Sequence, residues 1–244
     1  MRPLIYYLPI VTTIIALIFG CAIYRRYVQR GRIGNHLLWW TIGVLTYGMG
    51  TFAESYITLL GLNPVIFKFW YIAGALLGGA PLATGTVWFL LRPAAARRWT
   101  IALIIAVTIP AILAILSPVD LTVLDPHLPG SRALVWSWVR VFSPFINTYA
   151  VAFLVGGAIL SALRYSKAAP SGEGEEAGKA RDRVVGNSLI AVGAILPGIG
   201  GMASRFGHTE ILYVLELIGI ILIWLGYWFN IRNQPLNEPQ PAQT

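Results

Sequence analysis

Long apolar stretches alternate with short polar segments along the whole chain, a pattern typical of membrane proteins. It predicts seven helical spans, at about residues 4–24, 36–60, 66–91, 99–116, 139–163, 184–204 and 210–231. All but the fourth reach the roughly 20 residues that cross a hydrocarbon core. Backbone groups in lipid must be satisfied within their own segment, so such continuous runs form helices. We therefore expect an all-α polytopic membrane protein, a seven-transmembrane-helix bundle over residues 1–232, with a disordered cytoplasmic tail at 233–244.

Composition and charge support this interpretation. The chain is 57% hydrophobic and 11% charged, whereas soluble domains carry roughly 25% charged residues. Thirteen of the 18 Lys and Arg residues fall in one alternating set of connections and five in the other. Positively charged short loops stay cytoplasmic, which predicts the N-terminus outside and the C-terminus inside. We expect a multi-pass protein of the plasma (inner) membrane that contacts membrane lipids. Nucleic-acid binding is not expected, because the basic residues are divided among several short loops.

Several kinds of site lack the residues they need. A retinal Schiff base requires a lysine deep in a helix, and the three lysines are at an outer end or in a loop: Lys68, Lys167 and Lys179. Axial haem ligation is not expected because the histidines lie at an inner edge, in a loop and in a turn: His36, His127 and His208. We find no metal-ligand cluster, P-loop or GxSxG motif. Cys21 has no second thiol and is interpreted as a buried, inert residue. No cofactor, metal or catalytic residue is predicted.

Only two carboxylates lie in the interior of the predicted spans, Glu54 in the second helix and Glu216 in the seventh. An ionisable group near the membrane centre costs at least ~2.5 kcal/mol and normally has a partner or a water-filled cavity. Both residues lie about six residues from the predicted outer ends of their helices, or roughly 9 Å deep at 1.5 Å per residue. The sequence thus places two acids at a similar depth.

Small and polar residues recur at helical spacing around these acids. On the second helix the face comprises Trp40, Gly43, Tyr47, Gly50 and Glu54, and on the seventh Tyr213, Glu216, Gly219, Ile223 and Gly226. Residues spaced by three and four share one face of a helix, so these faces should point at protein. We expect a polar pocket that opens outward in the outer half of the bundle. Its predicted ligand-binding residues are Glu54, Glu216, Tyr47, Lys68, Tyr71, Arg140, Asn147 and Arg205.

Three other interpretations of the two acids stay open. Glu54 with Lys68, and Glu216 with Arg140 or Arg205, could be ion pairs that fix helix register, and such pairs are weak signs of function. A small transporter or channel could use Glu54 and Glu216 for proton or cation coupling. An intramembrane lipid-modifying enzyme could use either acid as a general base, although no nucleophile or metal site accompanies them.

Prolines and longer connections refine the predicted shape. Four prolines within spans should kink or loosen their helices: Pro81, Pro110, Pro144 and Pro197. The second half of the connection at 117–138 could lie on the membrane as a short amphipathic element, since Trp136 and Trp138 suit the headgroup region. The Gly-, Ala- and Glu-rich connection at 166–182 is predicted to be a flexible linker.

The order of these features resembles the seven-transmembrane N-terminal sensor region of bacterial histidine kinases and related signalling proteins. The similar pieces are a helix that ends in a basic stretch at 24–32, then LLWWTIGVLTYGMGTFAESY, then FKFWYIAGALLGGAPLATGTVWFLL. The resemblance extends from residue 1 to about 231 and implies an extracytoplasmic or intramembrane sensing bundle. Only thirteen residues follow Ile231, with no kinase or cyclase. We therefore expect a non-enzymatic, sensor-like or accessory protein that binds a small or lipidic ligand and passes its signal to a separate partner chain.

Overall fold

The computed structural model describes residues 3–168 and 175–232, and most of the residues in those ranges are helical. One isolated antiparallel bridge joins Val119 and Leu134. Eight α-helices follow in chain order: α1 Leu8–Gln29, α2 Asn35–Leu60, α3 Pro64–Trp70, α4 Ala80–Leu90, α5 Pro93–Leu116, α6 Phe142–Ala168, α7 Glu175–Arg205 and α8 Thr209–Ile231. The helices α3 and α4 belong to one interrupted segment.

In the part of the chain that the structure describes, six helical segments are long and apolar enough to cross a membrane: Leu4–Gln29, Pro64–Leu90, Pro93–Leu116, Ser137–Ser166, Glu176–Arg205 and Thr209–Ile231. These segments make the chain an all-α polytopic membrane protein. The helix α2 is not among them, although it has 26 residues. Thirteen of its residues are buried, against five of 24 in α5. A helix enclosed by its own bundle exposes little surface to lipid, so α2 can carry more Gly, Thr, Tyr and Trp.

The interrupted segment of α3 and α4 contains the break that the sequence predicted at Pro81. After Trp70 the backbone continues as a π-helix over Tyr71–Leu77, and α4 begins at Ala80. Gly78 has a φ of +42°, in the left-handed region that glycine adopts without a Cβ clash. Pro81 then lies in the first turn of α4, where its missing N–H is not needed. Pro144 likewise lies in the first turn of α6, so the kink expected there has no hydrogen bond to break.

The outward surfaces of α1 and α5 are broad and apolar. On α5 the exposed large side chains include Ile101, Ile104, Ile105, Ile109, Ile112 and Ile115. Contiguous apolar surface of this extent is rare on soluble monomers and suits contact with lipid. Cys21 is exposed on α1, on the same side as Ile14 and Ile18. The expectation of a buried cysteine was therefore wrong.

Glycines bring α7 and α8 into close contact. A Cβ atom added at Gly193 would lie 2.7 Å from the carbonyl oxygen of Gly219, which is closer than real Cβ atoms approach. The glycines of this contact recur every seven residues, at Gly186, Gly193 and Gly200 on α7 and at Gly219 and Gly226 on α8. Small residues at this spacing let two transmembrane backbones approach closely. The contact fixes the rotation of α8, which carries Glu216.

The loop between α5 and α6 folds over one end of the bundle, called here the loop end. It contains short 3₁₀ turns at Leu121–Val123 and Ser131–Ala133. Leu134 is buried and packs in a cluster with Ile57 and Phe67. The amphipathic second half of this loop thus rests on the bundle, although Trp138 is 53% exposed. The backbone N–H and hydroxyl of Thr122 both donate to the Asp120 carboxylate, which lowers the pKa of Asp120.

The opposite end of the bundle is called the arginine end, because Arg26, Arg30 and Arg183 meet there. At this end α7 begins at Glu175, so residues 175–182 of the predicted flexible linker are helical. The helix has 31 residues and is about 46 Å long, whereas the hydrocarbon core is about 30 Å thick. Its first turns therefore extend beyond the core. Residues 169–174 of the linker and the predicted tail at 233–244 lie outside the described residues.

Substituting a glycine of the α7–α8 contact should destabilise the bundle. Gly193→Ala places a methyl group 2.7 Å from a backbone oxygen, and overpacking of this kind costs about 1 to 3 kcal/mol. Gly198→Ala on the same helix is the matched control, because a Cβ there meets no atom within 4 Å. Thermal unfolding in detergent should show a lower Tm for Gly193→Ala and an unchanged or higher Tm for Gly198→Ala. Equal Tm values for both variants would contradict the packing.

Candidate functional site

Two carboxyl groups from different helices meet inside the bundle near the loop end. Glu54 on α2 is 3% exposed, and the Oε2 atom of Glu216 on α8 is buried. The two side chains are within hydrogen-bonding reach of each other. An ionised carboxylate can only accept hydrogen bonds, so a bond between the two forms when one of them carries a proton. The structure thus brings together the two acids that the sequence placed at a similar depth.

Four side-chain oxygens at this junction are buried and, among the described residues, make no hydrogen bond of normal geometry: Glu54 Oε2, Thr58 Oγ1, Tyr213 OH and Glu216 Oε2. Thr58 follows Glu54 by one turn of α2, and Tyr213 precedes Glu216 by about one turn of α8. The hydroxyl groups of Thr58 and Tyr213 are neighbours. We call these four residues the carboxyl cluster. Buried polar atoms without partners are few in folded proteins, so four of them at one junction call for a physical explanation.

Aromatic residues hold the carboxyl cluster in place from three directions. The indole N–H of Trp70, on α3, donates to Glu54 Oε1 over 3.1 Å. The hydroxyl of Tyr47, on α2, donates to the backbone carbonyl of Glu216 over 2.9 Å. The ring of Tyr6 packs edge-on against that of Tyr213, with their centroids 6.2 Å apart. The carboxyl cluster is therefore in contact with α2, α3, α8 and the turn before α1.

Three other predicted site residues make contacts between helices instead. The Lys68 ammonium donates to the carbonyl of Ile115, at the C-terminal end of α5, where the helix dipole favours a cation. The Tyr71 hydroxyl donates to the carbonyl of Val139 over 3.3 Å. The Asn147 amide donates to a carbonyl of the π-helical segment, that of Ala75, over 3.4 Å. These side chains join the interrupted segment to α5 and α6.

The two predicted arginines lie at the loop end and away from the acids. Arg140 Nε donates to the carbonyl of Ser137 over 3.2 Å. Arg205 is exposed, and its carbonyl accepts a hydrogen bond from Arg132. Within residues 3–168 and 175–232, no Lys or Arg forms an ion pair with Glu54 or Glu216. The register-fixing ion pairs considered above are therefore not what the structure contains.

A separate cavity of about 140 Å³ lies at the arginine end, between α1, α2, α4, α6, α7 and α8. Its walls include Phe19, Ile23, Trp40, Phe89, Ile223 and Tyr227, and its rim includes Arg26, Arg30 and Arg183. None of the eight predicted ligand-binding residues lines it. The cavity therefore lies at the end of the bundle opposite to the predicted pocket.

The sequence analysis did not predict the cavity residues, because arginines at helix ends and aromatic residues within spans are common in any membrane protein. The arginines of the rim were interpreted as an orientation signal. A usable signal was nevertheless present: Arg26 and Arg30 are four residues apart near the end of α1, and His36 and Trp40 are four apart at the start of α2. Each pair shares one face of its helix, and the two faces meet across a short turn.

No protein-family model matches the chain, and no curated protein is significantly similar to it. Its function has to be inferred from the two sites themselves. The carboxyl cluster can hold a proton or a small cation, and the cavity can hold an apolar group beside positive charge.

The hydrogen bond from Trp70 should make a measurable contribution to stability. Trp70→Phe keeps an aromatic ring and removes the donor to Glu54, and loss of a hydrogen bond to a charged group costs roughly 1.5 to 3 kcal/mol. Trp138→Phe is the control, because Trp138 is 53% exposed and contacts the rings of Trp136 and Phe142. Thermal unfolding should show a lower Tm for Trp70→Phe alone. A Tm equal to that of the Trp138→Phe variant would contradict the assigned bond.

Proposed function

We propose that the protein is a non-enzymatic, sensor-like protein of the plasma (inner) membrane, with seven spans, the N-terminus outside and the C-terminus inside. The proposal counts α2, which is long and largely buried, as a seventh span beside the six apolar segments. The bias of Lys and Arg towards the connections of the arginine end supports this orientation. On this topology the carboxyl cluster lies in the outer half of the membrane and the arginine-lined cavity in the inner half.

The ligand of the outer-half site is proposed to be a small cation that competes with a proton. The observation that carries this proposal is the contact between Glu54 and Glu216 without an ion-pair partner. Two bare carboxylates cannot share a buried site, so one proton or one cation has to lie between them. The buried hydroxyl groups of Thr58 and Tyr213, which lie beside each other and beside the acids, supply further oxygen ligands for such an ion.

Exchange of the bound species has a direct structural route to the rest of the bundle. With a proton, the two carboxyl groups attract each other; with a cation, each rotates towards the ion. Both movements change the geometry of two hydrogen bonds: the bond from Trp70 to Glu54, and the bond from Tyr47 to the backbone carbonyl of Glu216 on α8. Since Trp70 immediately precedes the π-helical segment, the occupancy of the site can bias the interrupted helix. We propose that a separate signalling or complex partner responds to this change.

Small cations should stabilise the protein through the carboxyl cluster. Unfolding is followed by heat in detergent at constant ionic strength, comparing LiCl, NaCl, KCl and NH₄Cl with N-methylglucamine chloride. A ligand at ten times its Kd stabilises the native state by about 1.4 kcal/mol, which raises Tm by about 3 °C or more in a protein of this size.

Two variants test whether the rise in Tm with added cation arises at the carboxyl cluster. Glu54→Gln should fold and lose the response, because its amide donates to Glu216 and replaces the ion. Glu176→Gln, which changes an exposed carboxylate at the arginine end, should keep it. A wild-type Tm that is independent of every cation, or an equal response in Glu54→Gln, would contradict the proposal.

A transport function is the second candidate, with Glu54 and Glu216 as coupling groups. Specific support comes from the interrupted segment at Gly78, because discontinuous helices near acidic groups are common at the sites of secondary transporters. Proteoliposomes that contain a pH-sensitive dye and carry a cation gradient should then show proton flux. Glu216→Gln should reduce the flux, and Glu176→Gln should not. Vesicles without flux, combined with a cation-dependent Tm, would favour the sensor.

A further inference from the structure

We infer that the cavity at the arginine end is a second binding site, whose ligand is a small neutral ring molecule with one carbonyl group. The side chains of the wall would enclose the ring, and the hydroxyl group of Tyr227 would donate a hydrogen bond to the carbonyl oxygen. Among the described residues that line the cavity there is no member of the carboxyl cluster. This site therefore does not depend on the function proposed for that cluster.

The wall of the cavity is built from aromatic rings that pack on one another. The ring of Phe19 stacks on Trp224 at a centroid distance of 5.4 Å and contacts Tyr227 at 5.5 Å. Trp40 lies edge-on to Tyr227 at 6.5 Å and packs against the ring of Phe89 at 5.8 Å. Because each ring is held by its neighbours, the apolar part of the site is already formed without a ligand.

Two glycines fix the position of other wall residues. A Cβ atom added at Gly85 on α4 would lie 2.1 Å from Cδ1 of Trp40, so the indole packs directly against the α4 backbone. A Cβ atom added at Gly157 on α6 would lie 2.7 Å from the methyl carbon of Thr86. Both distances are shorter than real Cβ contacts. The shape of the cavity is therefore determined by close packing between helices.

The hydroxyl group of Tyr227 is the polar feature of the wall that calls for a ligand. Tyr227 is 7% exposed and lines the cavity, yet its hydroxyl makes no hydrogen bond among the described residues. Buried polar atoms without a partner are few in folded proteins. A phenolic hydroxyl can donate to a carbonyl oxygen. In an apolar site, one placed polar group of this kind fixes the orientation of the ligand.

A neutral ligand suits the cavity better than a charged one. An ionised group enclosed by apolar side chains loses its hydration, and this loss is costly unless the group is paired. Arg26 and Arg30, at the rim, already take part in interactions of their own. The guanidinium of Arg183 lies 4.7 Å from the ring centroid of Tyr165. Recognition is therefore assigned to the wall, where Tyr227 supplies the donor that a neutral carbonyl group needs.

The volume limits the ligand to one ring. The cavity measures about 140 Å³, and an apolar cavity of roughly 150 Å³ accommodates benzene. A six-membered ring with one carbonyl oxygen is of similar size, whereas a whole phospholipid cannot be enclosed. Cyclohexanone is therefore a suitable probe.

Binding is measured by calorimetry, with cyclohexanone titrated into the full chain in lipid nanodiscs and the heats of empty nanodiscs subtracted. Toluene is the comparison probe, because its ring is of similar size and it has no carbonyl oxygen to accept a hydrogen bond. We expect saturable binding of both molecules. Removal of the Tyr227 hydroxyl should weaken the binding of cyclohexanone alone.

Tyr227→Phe should raise the Kd of cyclohexanone roughly threefold to tenfold, the effect of losing one hydrogen bond. The Kd of toluene should stay within about twofold. Tm should not fall, because the hydroxyl makes no hydrogen bond among the described residues of the unliganded protein. Tyr24→Phe is the matched control, since Tyr24 is 45% exposed on α1 and does not line the cavity. It should leave both Kd values unchanged.

A larger side chain in the wall should exclude both probes. Leu154 on α6 lines the cavity and is buried, so Leu154→Trp should occupy part of the space and raise both Kd values about tenfold or more. Leu160→Trp is its control, because Leu160 is 44% exposed on the same helix and does not line the cavity. Where Leu154→Trp lowers Tm, Tyr227→Phe tests the same site with the ring retained.

Several results would overturn this assignment. Absence of saturable cyclohexanone binding would do so, and so would an equal effect of Tyr227→Phe and Tyr24→Phe. Equal weakening of cyclohexanone and toluene by Tyr227→Phe would show that shape, and not a hydrogen bond, governs recognition. Tighter binding of cyclohexanecarboxylate, an anion with the same ring size, would show that the charge of the rim governs it.

Glu54→Gln separates this site from the carboxyl cluster. It should leave the Kd of cyclohexanone unchanged while it removes the response of Tm to cations. Failure of cyclohexanone to bind, with the cation-dependent Tm intact, would therefore remove only this second site.

Discussion

Polar groups within a transmembrane bundle need hydrogen-bond partners inside the protein. This constraint determines the contacts of the polar side chains near the loop end. Lys68, Tyr71 and Asn147 satisfy it with backbone carbonyls of neighbouring helices. Glu54 and Glu216 satisfy it only in part, because each carboxyl group faces the other and retains an unpartnered oxygen. This contact between two acids is the reason for our proposal that a proton or a small cation binds there.

Close backbone packing is what brings the two acids together. The α7–α8 glycines fix the rotation of α8. On the other side, a Cβ added at Gly50 of α2 would lie 2.9 Å from Gly74 in the π-helical segment, so α2 lies directly against the interrupted segment. The position of α2 inside the bundle explains both its low apolarity and its buried acid. The carboxyl cluster thus lies where the most enclosed helix meets the most closely packed helix pair.

Much of this arrangement follows from helical periodicity in the sequence. The spacing of Tyr47 and Glu54 on one helix, and of Tyr213 and Glu216 on another, predicted that these faces point at protein, and Glu54 and Tyr213 are indeed buried in the bundle. Periodicity does not determine which helices are neighbours, so the partners of Lys68 could not be predicted. The cavity could not be predicted for a different reason: Arg26 and its neighbours fit the pattern of an orientation signal, and nothing in the sequence shows that they also line a cavity.

The central claim is that Glu54 and Glu216 share one proton when no small cation is bound. Infrared spectroscopy of the purified protein tests it directly, because a protonated carboxyl group has a C=O stretch that is distinct from the bands of a carboxylate. With N-methylglucamine as the only added cation, wild type should show this band, and both Glu54→Gln and Glu216→Gln should lose it. A wild-type spectrum without a protonated carboxyl band, or one that neither substitution changes, would contradict the account.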